Sequence, residues 1–150
     1  MLRATDGSWV DPAALTGRSL LIVYPWTGRP GHPNPPGWDD IPGAHGSTPE
    51  LEGFRDHASE FAALGLRLLG LSGQETEYQS ELVSRLRLPF QILSDASWHF
   101  ADALGLPRFT AGCEVYLKRL TLLIDNGLIE RAFYPVPDPA DHAAAVLALL

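Results

Sequence analysis

Short apolar runs alternate along this 150-residue chain with longer stretches in which apolar residues recur at helical spacing. Residues 19–24 (SLLIVY), for example, form the kind of continuous β-prone run that is buried on both faces of a sheet. The predicted elements, in chain order, are a strand at 19–24, a helix at 50–64, a strand at 66–71, a helix at 76–86, a strand at 90–93, a helix at 97–104, strands at 115–124 and 128–134, and a helix at 140–150. This order predicts a single α/β domain that has a central mixed sheet with helices on both faces.

Two local signals indicate where the predicted elements begin or turn. Thr48 and Pro49 precede the apolar positions of the first helix, so we expect Thr48 to be its N-cap and Pro49 its first residue. Asn126 and Gly127 stand between two apolar runs, which is the strongest short-range signal of a β-hairpin. The last two strands are therefore predicted to pair with each other.

Residues 26–49 hold six of the 13 prolines and five of the 14 glycines of the chain. Proline removes a backbone donor and both residues interrupt regular structure, so this segment can form neither a strand nor a helix. A connection of this length is uncommon within a compact domain and is usually either functional or disordered. Trp26 and Trp38 favour order, because disordered segments are poor in aromatic residues. We predict an ordered loop with a function.

Charge and cysteine content exclude several classes of function. The 18 acidic residues outnumber the 11 Lys and Arg, and the resulting net charge of −7 argues against a nucleic-acid-binding surface. The apolar runs fall far short of the roughly 20 residues that a membrane span needs, and no signal peptide is visible. A single cysteine, Cys113, allows no internal disulfide. We expect a cytoplasmic protein with no nucleic-acid or membrane partner.

The end of the first strand and the start of the first helix are the expected place for chemistry. Ligand sites of open α/β sheets lie at the carboxyl ends of strands and at the helix N-termini that follow them. Tyr24 and Pro25 end the strand, and Gly46, Ser47 and Thr48 lead into the helix. Unpaired N–H groups there stabilise a thiolate, an oxyanion or a phosphate. From the residues alone, Ser47 or Thr48 is either an ordinary helix cap or part of such an anionic site.

Several segments together resemble one family. They are YPWTGRPG, IPGAHGSTPELEGFRDH, GLSGQETEYQSELVSRLRLPFQILSD, KRLTLLIDNG and FYPV. From Ala4 onward the chain is similar to the peroxiredoxins of the alkyl hydroperoxide reductase and thiol-specific antioxidant family, above all to the bacterial branch related to the bacterioferritin comigratory protein. The resemblance implies a thioredoxin-like fold and the reduction of hydrogen peroxide or organic hydroperoxides by a peroxidatic cysteine. It also implies an external thiol reductant, such as thioredoxin, glutaredoxin or a small thiol, and no cofactor.

The resemblance places Ser47 where this family has its peroxidatic cysteine, in a G-C-T-P stretch at the first turn of the helix. Peroxide reduction needs a thiolate that becomes a sulfenic acid, and a serine hydroxyl is barely ionised at neutral pH. We therefore expect this chain to be an inactive form of a peroxidase. Serine is the near-isosteric replacement that an experimenter would choose, and natural loss gives the same sequence, so both origins stay open.

Arg119 is the second expected member of the site. The resemblance implies that it orients the peroxide and lowers the pKa of the cysteine, and a guanidinium is a permanently charged, rigid donor. The alternative is an ordinary surface cation. Lys118, one residue away on the predicted strand, should face the opposite side and be exposed. The other expected pocket residues are Tyr24 and Pro25 as the floor, Pro42 as a shield from the loop, and Gly46 and Thr48 at the helix start.

Two further family positions differ in this chain. The usual threonine three residues before the cysteine is replaced by Ala44, which leaves Thr27 or Thr48 as the source of a hydroxyl. The resolving cysteine that this branch often carries five residues after the peroxidatic one is replaced by Glu52. Cys113 is then either a small, partly buried packing residue, as free cysteines usually are, or a resolving or intermolecular thiol.

Three other interpretations have weaker support. The five histidines show no pair at i, i+4 and no carboxylate in zinc-like register, so no metal site is expected. Ser47 lacks the G-x-S-x-G context of a hydrolase nucleophile, although His45 is close in sequence. A rival from another class is a naturally cysteine-less, redoxin-like protein that uses the pocket for binding or serves as a dimer partner. A homodimer is left open, because Trp26 or Trp38 would suit an interface.

Overall fold

The computed structural model describes all 150 residues, Met1–Leu150. Nine strands and five α-helices follow one another along the chain. The strands are β1 Leu2–Ala4, β2 Trp9–Val10, β3 Arg18–Val23, β4 Leu66–Ser72, β5 Gln91–Ser94, β6 Arg108–Ala111, β7 Glu114–Leu117, β8 Leu120–Asp125 and β9 Leu128–Phe133. The helices are α1 Ser47–Asp56, α2 Ala58–Ala63, α3 Thr76–Leu86, α4 His99–Leu104 and α5 His142–Ala148. None of these helices has the length and apolar content that crossing a membrane requires.

Seven strands form one mixed sheet in the order β2-β1-β5-β4-β3-β8-β9. The pairs β3–β4 and β4–β5 are parallel, and the remaining neighbours are antiparallel. The parallel pairs are joined through the helices α1, α2 and α3, as parallel connections require. The predicted central mixed sheet is therefore confirmed.

The central strand β3 is buried on both faces, as its apolar run predicts. Leu20 and Ile22 belong to one core, packed with residues of α1, α2, α3 and α5. Leu21 and Val23 point to the opposite face and belong to a second core with β1, β2 and α4. Helices therefore cover both faces of the sheet, and the carboxyl end of β3 leads directly into the long loop.

The first predicted helix begins earlier and is shorter than expected. It begins at Ser47 with Gly46 as N-cap, so Thr48 and Pro49 are its second and third residues rather than its N-cap and first residue. Proline is tolerated at this position because the N–H groups of a first turn have no partner within the helix. The predicted helix 50–64 also divides at His57 into α1 and α2.

The predicted strand 115–124 is two strands, β7 and β8, which separate at Lys118 and Arg119. The strand β7 pairs with β6 in a separate two-stranded sheet, and β6 is a four-residue strand of mixed polarity that gives no clear alternation in the sequence. The short strands β1 and β2 were likewise not predicted. The hairpin β8–β9 is confirmed, and its turn residues Asn126 and Gly127 both have positive φ, as a type I′ turn requires.

Replacing Gly127 with alanine is expected to destabilise the fold by about 3 kcal/mol or more. Gly127 has a φ of +80°, and a Cβ atom there would overlap the backbone carbonyl of Ala13. Gly65→Ala is the matched control, because Gly65 has a φ of +73° but no atom within 4 Å of the added Cβ. We expect it to lose only about 1 kcal/mol, from backbone strain alone. Urea unfolding of both variants measures the difference, and equal losses would contradict the overlap.

Candidate functional site

Ser47 is held at the start of α1 by the close approach of the carboxyl-terminal segment. Ser47 is 3% exposed. The preceding residue, Gly46, has a φ of +113°, and a Cβ atom on it would come within 2.9 Å of Pro139. Only glycine therefore fits at this position, and it turns the chain so that Ser47 becomes the first residue of the helix. The positive end of the α1 dipole lies at Ser47.

Arg119 connects the loop and the helix. It lies between β7 and β8 and is 4% exposed. Its Nη1 donates hydrogen bonds to the Ser47 Oγ and to the Glu50 Oε1, both at 3.1 Å. Its Nη2 donates to the three consecutive carbonyl oxygens of residues 43–45, at 3.2 to 3.3 Å. One guanidinium therefore fixes the end of the long loop against the first turn of α1.

Glu50 is a member of this site that the sequence reasoning missed. It is fully buried, and its Oε2 has no hydrogen-bond partner. Burial raises the pKa of this carboxyl to about 7, although the positive charge of Arg119 acts in the opposite direction. Glu50 lies three residues after Ser47, so the two side chains share one face of α1. That spacing is the signal that could have identified it.

His142 and Thr121 lie behind Arg119 and were also missed. The His142 Nε2 lies 2.8 Å from the Thr121 Oγ1, and both residues are buried. Burial, together with a smaller effect of the nearby charge of Arg119, lowers the pKa of His142 to about 4. Nothing in the sequence indicated this pair, because its two members are 21 residues apart and belong to different elements.

The titrations of Glu50 and His142 change the free energy of unfolding in opposite directions. We expect the two effects to cancel between about pH 4.5 and 6.5. The folded pKa of Glu50 is raised, so its contribution is present below pH 4.5 and is lost as the pH rises through about 7. The folded pKa of His142 is lowered, so its contribution is present above pH 6.5 and is lost as the pH falls through about 4.

Isosteric variants separate these two contributions. In Glu50→Gln only the effect of His142 remains, so the free energy of unfolding is expected to rise by about 2 kcal/mol from pH 4.5 to 6.5. In His142→Gln only the effect of Glu50 remains, so the free energy of unfolding is expected to fall by a similar amount. The measurement is urea unfolding at several pH values. Subtracting the free energy of unfolding of the unchanged chain from that of each variant removes the effect of all other titrating groups. Two variants that keep the same slope as the unchanged chain would contradict the assignment of these groups.

Two clefts meet at His45 and reach the site from different sides. A cleft of about 180 Å³ is lined by Ser47, together with the predicted pocket residues Gly46 and Thr48. A second cleft, of about 460 Å³, is lined by Arg119 and by the predicted shield, Pro42. The remaining lining residues of the second cleft are Gly43, His45, Phe109, Lys118, Tyr134, Pro135, Val136, Pro137 and Pro139. Ser47 and Arg119 are thus in contact with each other, while each lines its own cleft.

The predicted floor of the pocket is wrong. Tyr24 is fully buried within the core and lines neither cleft, and burial raises the pKa of its hydroxyl. Pro25 lines a separate cavity on the other side of β3, with residues such as Gly73 and Trp98. The reason is that side chains at the end of a strand continue to alternate between its two faces, so these neighbours cannot both face the site.

Of the two candidate hydroxyl donors, Thr27 and Thr48 both line the small cleft with Ser47. The Thr27 hydroxyl is, however, hydrogen-bonded to the Gln74 Oε1 at 3.3 Å. Ala44 is buried in an aromatic cluster with Trp38 and belongs to the packed end of the loop.

The tryptophans fasten the long loop to the rest of the protein. Trp38 is 4% exposed and meets Trp26 edge to face, with ring centroids 5.5 Å apart. Tyr116 of β7 packs on the other side of Trp38 at 4.9 Å. The loop is therefore ordered by aromatic packing, and Trp38 is too buried to form the exposed interface suggested for it.

Three other predicted positions differ from expectation or lie outside the site. Cys113 is exposed in the turn between β6 and β7, so its expected role as a partly buried packing residue is wrong. Glu52 is on the surface, 3.7 Å from Arg55. Lys118 is exposed as expected but lines the same cleft as Arg119, because the two residues lie between strands, where alternation does not apply.

His45 does not activate Ser47 in this structure. Its Nδ1 lies 3.2 Å from the Asp39 Oδ1 on the surface, and the Ser47 hydroxyl accepts its hydrogen bond from Arg119. The arrangement of a buried side chain at a helix N-terminus with a bonded guanidinium instead suits a group that carries or develops negative charge.

Comparisons with known proteins agree with this architecture. The model of the AhpC/TSA family matches residues 42–132. A candidate peroxiredoxin of Coxiella burnetii, bcp, is 30% identical over 153 residues, which cover 99% of this chain and 91% of that protein. Chloroplastic peroxiredoxin Q of Oryza sativa subsp. japonica is 26% identical over 99% of this chain, and the chain spans only 62% of that relative.

A solved structure shows the same fold. A cysteine-to-serine mutant of Xanthomonas campestris peroxiredoxin Q superposes with a TM-score of 0.77 at 22% identity, over 99% of this chain and 87% of that one. The thioredoxin-like fold implied by the sequence resemblance is therefore confirmed. Family model, relatives and fold lead to one conclusion: this chain belongs to the AhpC/TSA family, in the branch of the Bcp and peroxiredoxin Q proteins.

Proposed function

We propose that this chain carries the site of a thiol-dependent peroxidase in which Ser47 stands at the position of the attacking cysteine. The observation that carries the proposal is the 3.1 Å hydrogen bond from the Arg119 Nη1 to the Ser47 Oγ, buried at the start of α1. A sulfur atom in place of this oxygen would meet a permanent cation and the positive end of a helix dipole. Both interactions favour a thiolate.

The reaction at such a site begins when the thiolate attacks the terminal oxygen of a hydroperoxide. A sulfur–oxygen bond forms, the oxygen–oxygen bond breaks, and the leaving hydroxide or alkoxide takes a proton. The sulfenic acid is then reduced by two equivalents of an external thiol, such as thioredoxin, glutaredoxin or a small thiol. Arg119 stabilises the charge that develops during the attack. This chemistry suits a reducing compartment such as the cytoplasm.

The Ser47 chain itself lacks this activity in our proposal. A neutral hydroxyl is a poor nucleophile, and oxygen cannot follow sulfur along the sequence of thiolate, sulfenic acid and disulfide. The exposed Cys113 lines neither cleft. It therefore has no part in the attack on the peroxide.

Consumption of hydrogen peroxide with dithiothreitol as the reductant tests this proposal, on the unchanged chain and on the Ser47→Cys variant side by side. Activity in the variant alone supports it. Activity in neither form overturns it and favours a cysteine-less protein that uses the pocket to bind a ligand or a related chain. Activity in both forms also overturns it, and its loss in Cys113→Ser would then assign the chemistry to Cys113.

A further inference from the structure

A cleft of about 470 Å³, which we call the β4–α2 cleft, lies at the amino end of β4. Its lining residues are Ala58, Ser59, Ala62, Leu66, Arg67, Leu68, Leu69, Pro89, Phe90 and Gln91. Arg18 and Leu66 pair at this end of the sheet, whereas Arg119 precedes β8, which pairs with Val23 at the other end. The stretch of β3 from Arg18 to Val23 spans roughly 16 Å at a rise of about 3.3 Å per residue. A molecule in the β4–α2 cleft is therefore remote from the chemistry at Ser47.

The β4–α2 cleft exists because β5 and α2 leave a gap beside the start of β4. The strand β4 begins at Leu66, but its pairing with β5 begins only at Leu69 and Gln91. Pro89, two residues before Gln91, has no N–H with which to extend this ladder. The residues of α2 that line the gap have small side chains, namely Ala58, Ser59 and Ala62. Neither the neighbouring strand nor the helix therefore fills the space.

The floor of the β4–α2 cleft is the edge of the hydrophobic core. Leu66, Leu68 and Phe90 line the cleft, belong to the core that α1 and α2 cover, and are 5 to 7% exposed. An apolar molecule in the cleft would cover what remains exposed of these side chains, which is favourable in proportion to the apolar area removed from water. The volume is in the range that is typical of small-molecule sites.

Arg67 is the charged side chain of the β4–α2 cleft, and it is free to bind an anion. It is exposed, and no ion pair of the chain includes it. No acidic residue lines the cleft. Hydrogen bonds from Ser8 lower the pKa of the nearby Asp6, and the charge of Arg67 contributes least to that shift. A guanidinium presents two parallel N–H donors that match the two oxygens of a carboxylate.

We propose that the β4–α2 cleft binds a small organic monocarboxylate, with its apolar body on Leu66, Leu68 and Phe90 and its carboxylate on Arg67. No cysteine, histidine or acidic residue lines the cleft, so its one hydroxyl, that of Ser59, has no base beside it. The bound molecule is therefore a ligand and not a substrate. Its binding is independent of the residue at position 47 and of the proposed peroxidase function.

Calorimetric titration of the unchanged chain with octanoate and with 1-octanol tests the charge selection. We expect octanoate to bind about fivefold more tightly than 1-octanol, and Arg67→Gln to abolish that preference. Lys118→Gln is the matched control, because it removes an exposed positive charge in the cleft beside Arg119. It should leave both affinities unchanged. Equal affinity for the two probes, or a loss of the preference in Lys118→Gln, would overturn the inference.

A pair of changes in α2 tests the location of the site without altering its charge. Ala62 and Ala63 are neighbouring exposed residues, and only Ala62 lines the β4–α2 cleft. Ala62→Phe is expected to fill the cleft and weaken octanoate binding at least about tenfold, whereas Ala63→Phe should change it less than about twofold. Both positions are on the surface, and urea unfolding checks that both variants fold. Equal octanoate affinities of the two variants would contradict this location.

A second copy of the chain is the alternative occupant of this apolar surface. Light scattering of the unchanged chain and of Ala62→Phe distinguishes the two cases. A dimer that Ala62→Phe converts to a monomer would overturn the inference, because the cleft would then be an interface. The same mass in both forms, together with octanoate binding that depends on Arg67, supports it. These measurements use the chain with Ser47, so an inactive Ser47→Cys variant overturns the peroxidase proposal alone.

Discussion

Replacing Ser47 with cysteine is expected to produce thiol-dependent peroxide consumption at least about a thousandfold faster, per thiol, than that of Cys113 in the unchanged chain. Two effects combine. The Arg119 hydrogen bond and the helix N-terminus convert most of the thiol to thiolate at pH 7, whereas a free cysteine is only a few per cent ionised. Fixed donors directed at the developing charge contribute a further factor of about 10² to 10³.

The pKa of the new thiol provides a direct measure of the first effect. We expect it to lie below the value of about 8.5 for a free cysteine, measured by absorbance of the thiolate or by the pH dependence of alkylation. Glu50 acts in the opposite direction when it is ionised, because a like charge disfavours the thiolate. Glu50→Gln in the same background is therefore expected to lower the pKa of the thiol further.

Thr48→Cys is the control for this prediction. It places the same thiol one residue later in the same helix, partly exposed and without the Arg119 hydrogen bond. This variant should react with peroxide at nearly the rate of a free thiol. If Ser47→Cys and Thr48→Cys have similar rates and similar thiol pKa values, the arginine has no role in activating position 47.

Replacing Arg119 with methionine is expected to destabilise the chain by about 3 to 5 kcal/mol. The change leaves the Glu50 carboxylate buried without its partner, and it removes the donor of three backbone carbonyls. Breaking a buried ion pair from one side has a large effect because the remaining charge is uncompensated. The same change in the Ser47→Cys variant should abolish most of the peroxidase activity.

The pH dependence identifies the cause of this loss. Without Arg119 the pKa of Glu50 rises further, so Arg119→Met should be more damaging at pH 8 than at pH 5. Adding Glu50→Gln should restore part of the stability. Arg18→Met is the control, since Arg18 and Glu130 form an exposed ion pair at 3.9 Å. Losing this pair should lower the free energy of unfolding by less than about 1 kcal/mol. Equal effects of the two arginine changes in urea unfolding would contradict the assignment.

The sequence predicted the parts of this structure that depend on local pattern. The strand β3, the helix α3 and the turn at Asn126 and Gly127 follow from apolar spacing and turn chemistry, both of which act over a few residues. The short strand β6 did not follow, because it is stabilised by its pairing with β7 and not by its own composition. The division of the predicted strand 115–124 at Lys118 was missed for the same reason, because it depends on the pairing of β7 with β6.

The candidate site was only partly predictable for a related reason. The contact of Ser47 with Arg119 joins residues 72 positions apart, and the resemblance to a family suggested that both belong to one site. Glu50 and His142 are titratable residues buried by tertiary packing, and burial of a polar side chain leaves no local pattern. Their altered pKa values are properties of the assembled core and not of the segments that contain them.

The three carbonyls held by Arg119 divide the long connection after β3 into a constrained part and a variable part. After the mostly exposed residues 30–37, Trp38 is buried and residues 43–45 are fixed. Before them, the Gly28 carbonyl accepts a hydrogen bond from the Arg85 Nη2 at 3.0 Å, so the stretch is joined to the protein at both ends. The entropic free-energy cost of closing such a loop grows slowly, by about 0.6 kcal/mol for each doubling of the loop length. Insertions and deletions in residues 30–37 are thus compatible with an unchanged geometry at Ser47, and this stretch can diverge in length while the chemistry beside it stays the same.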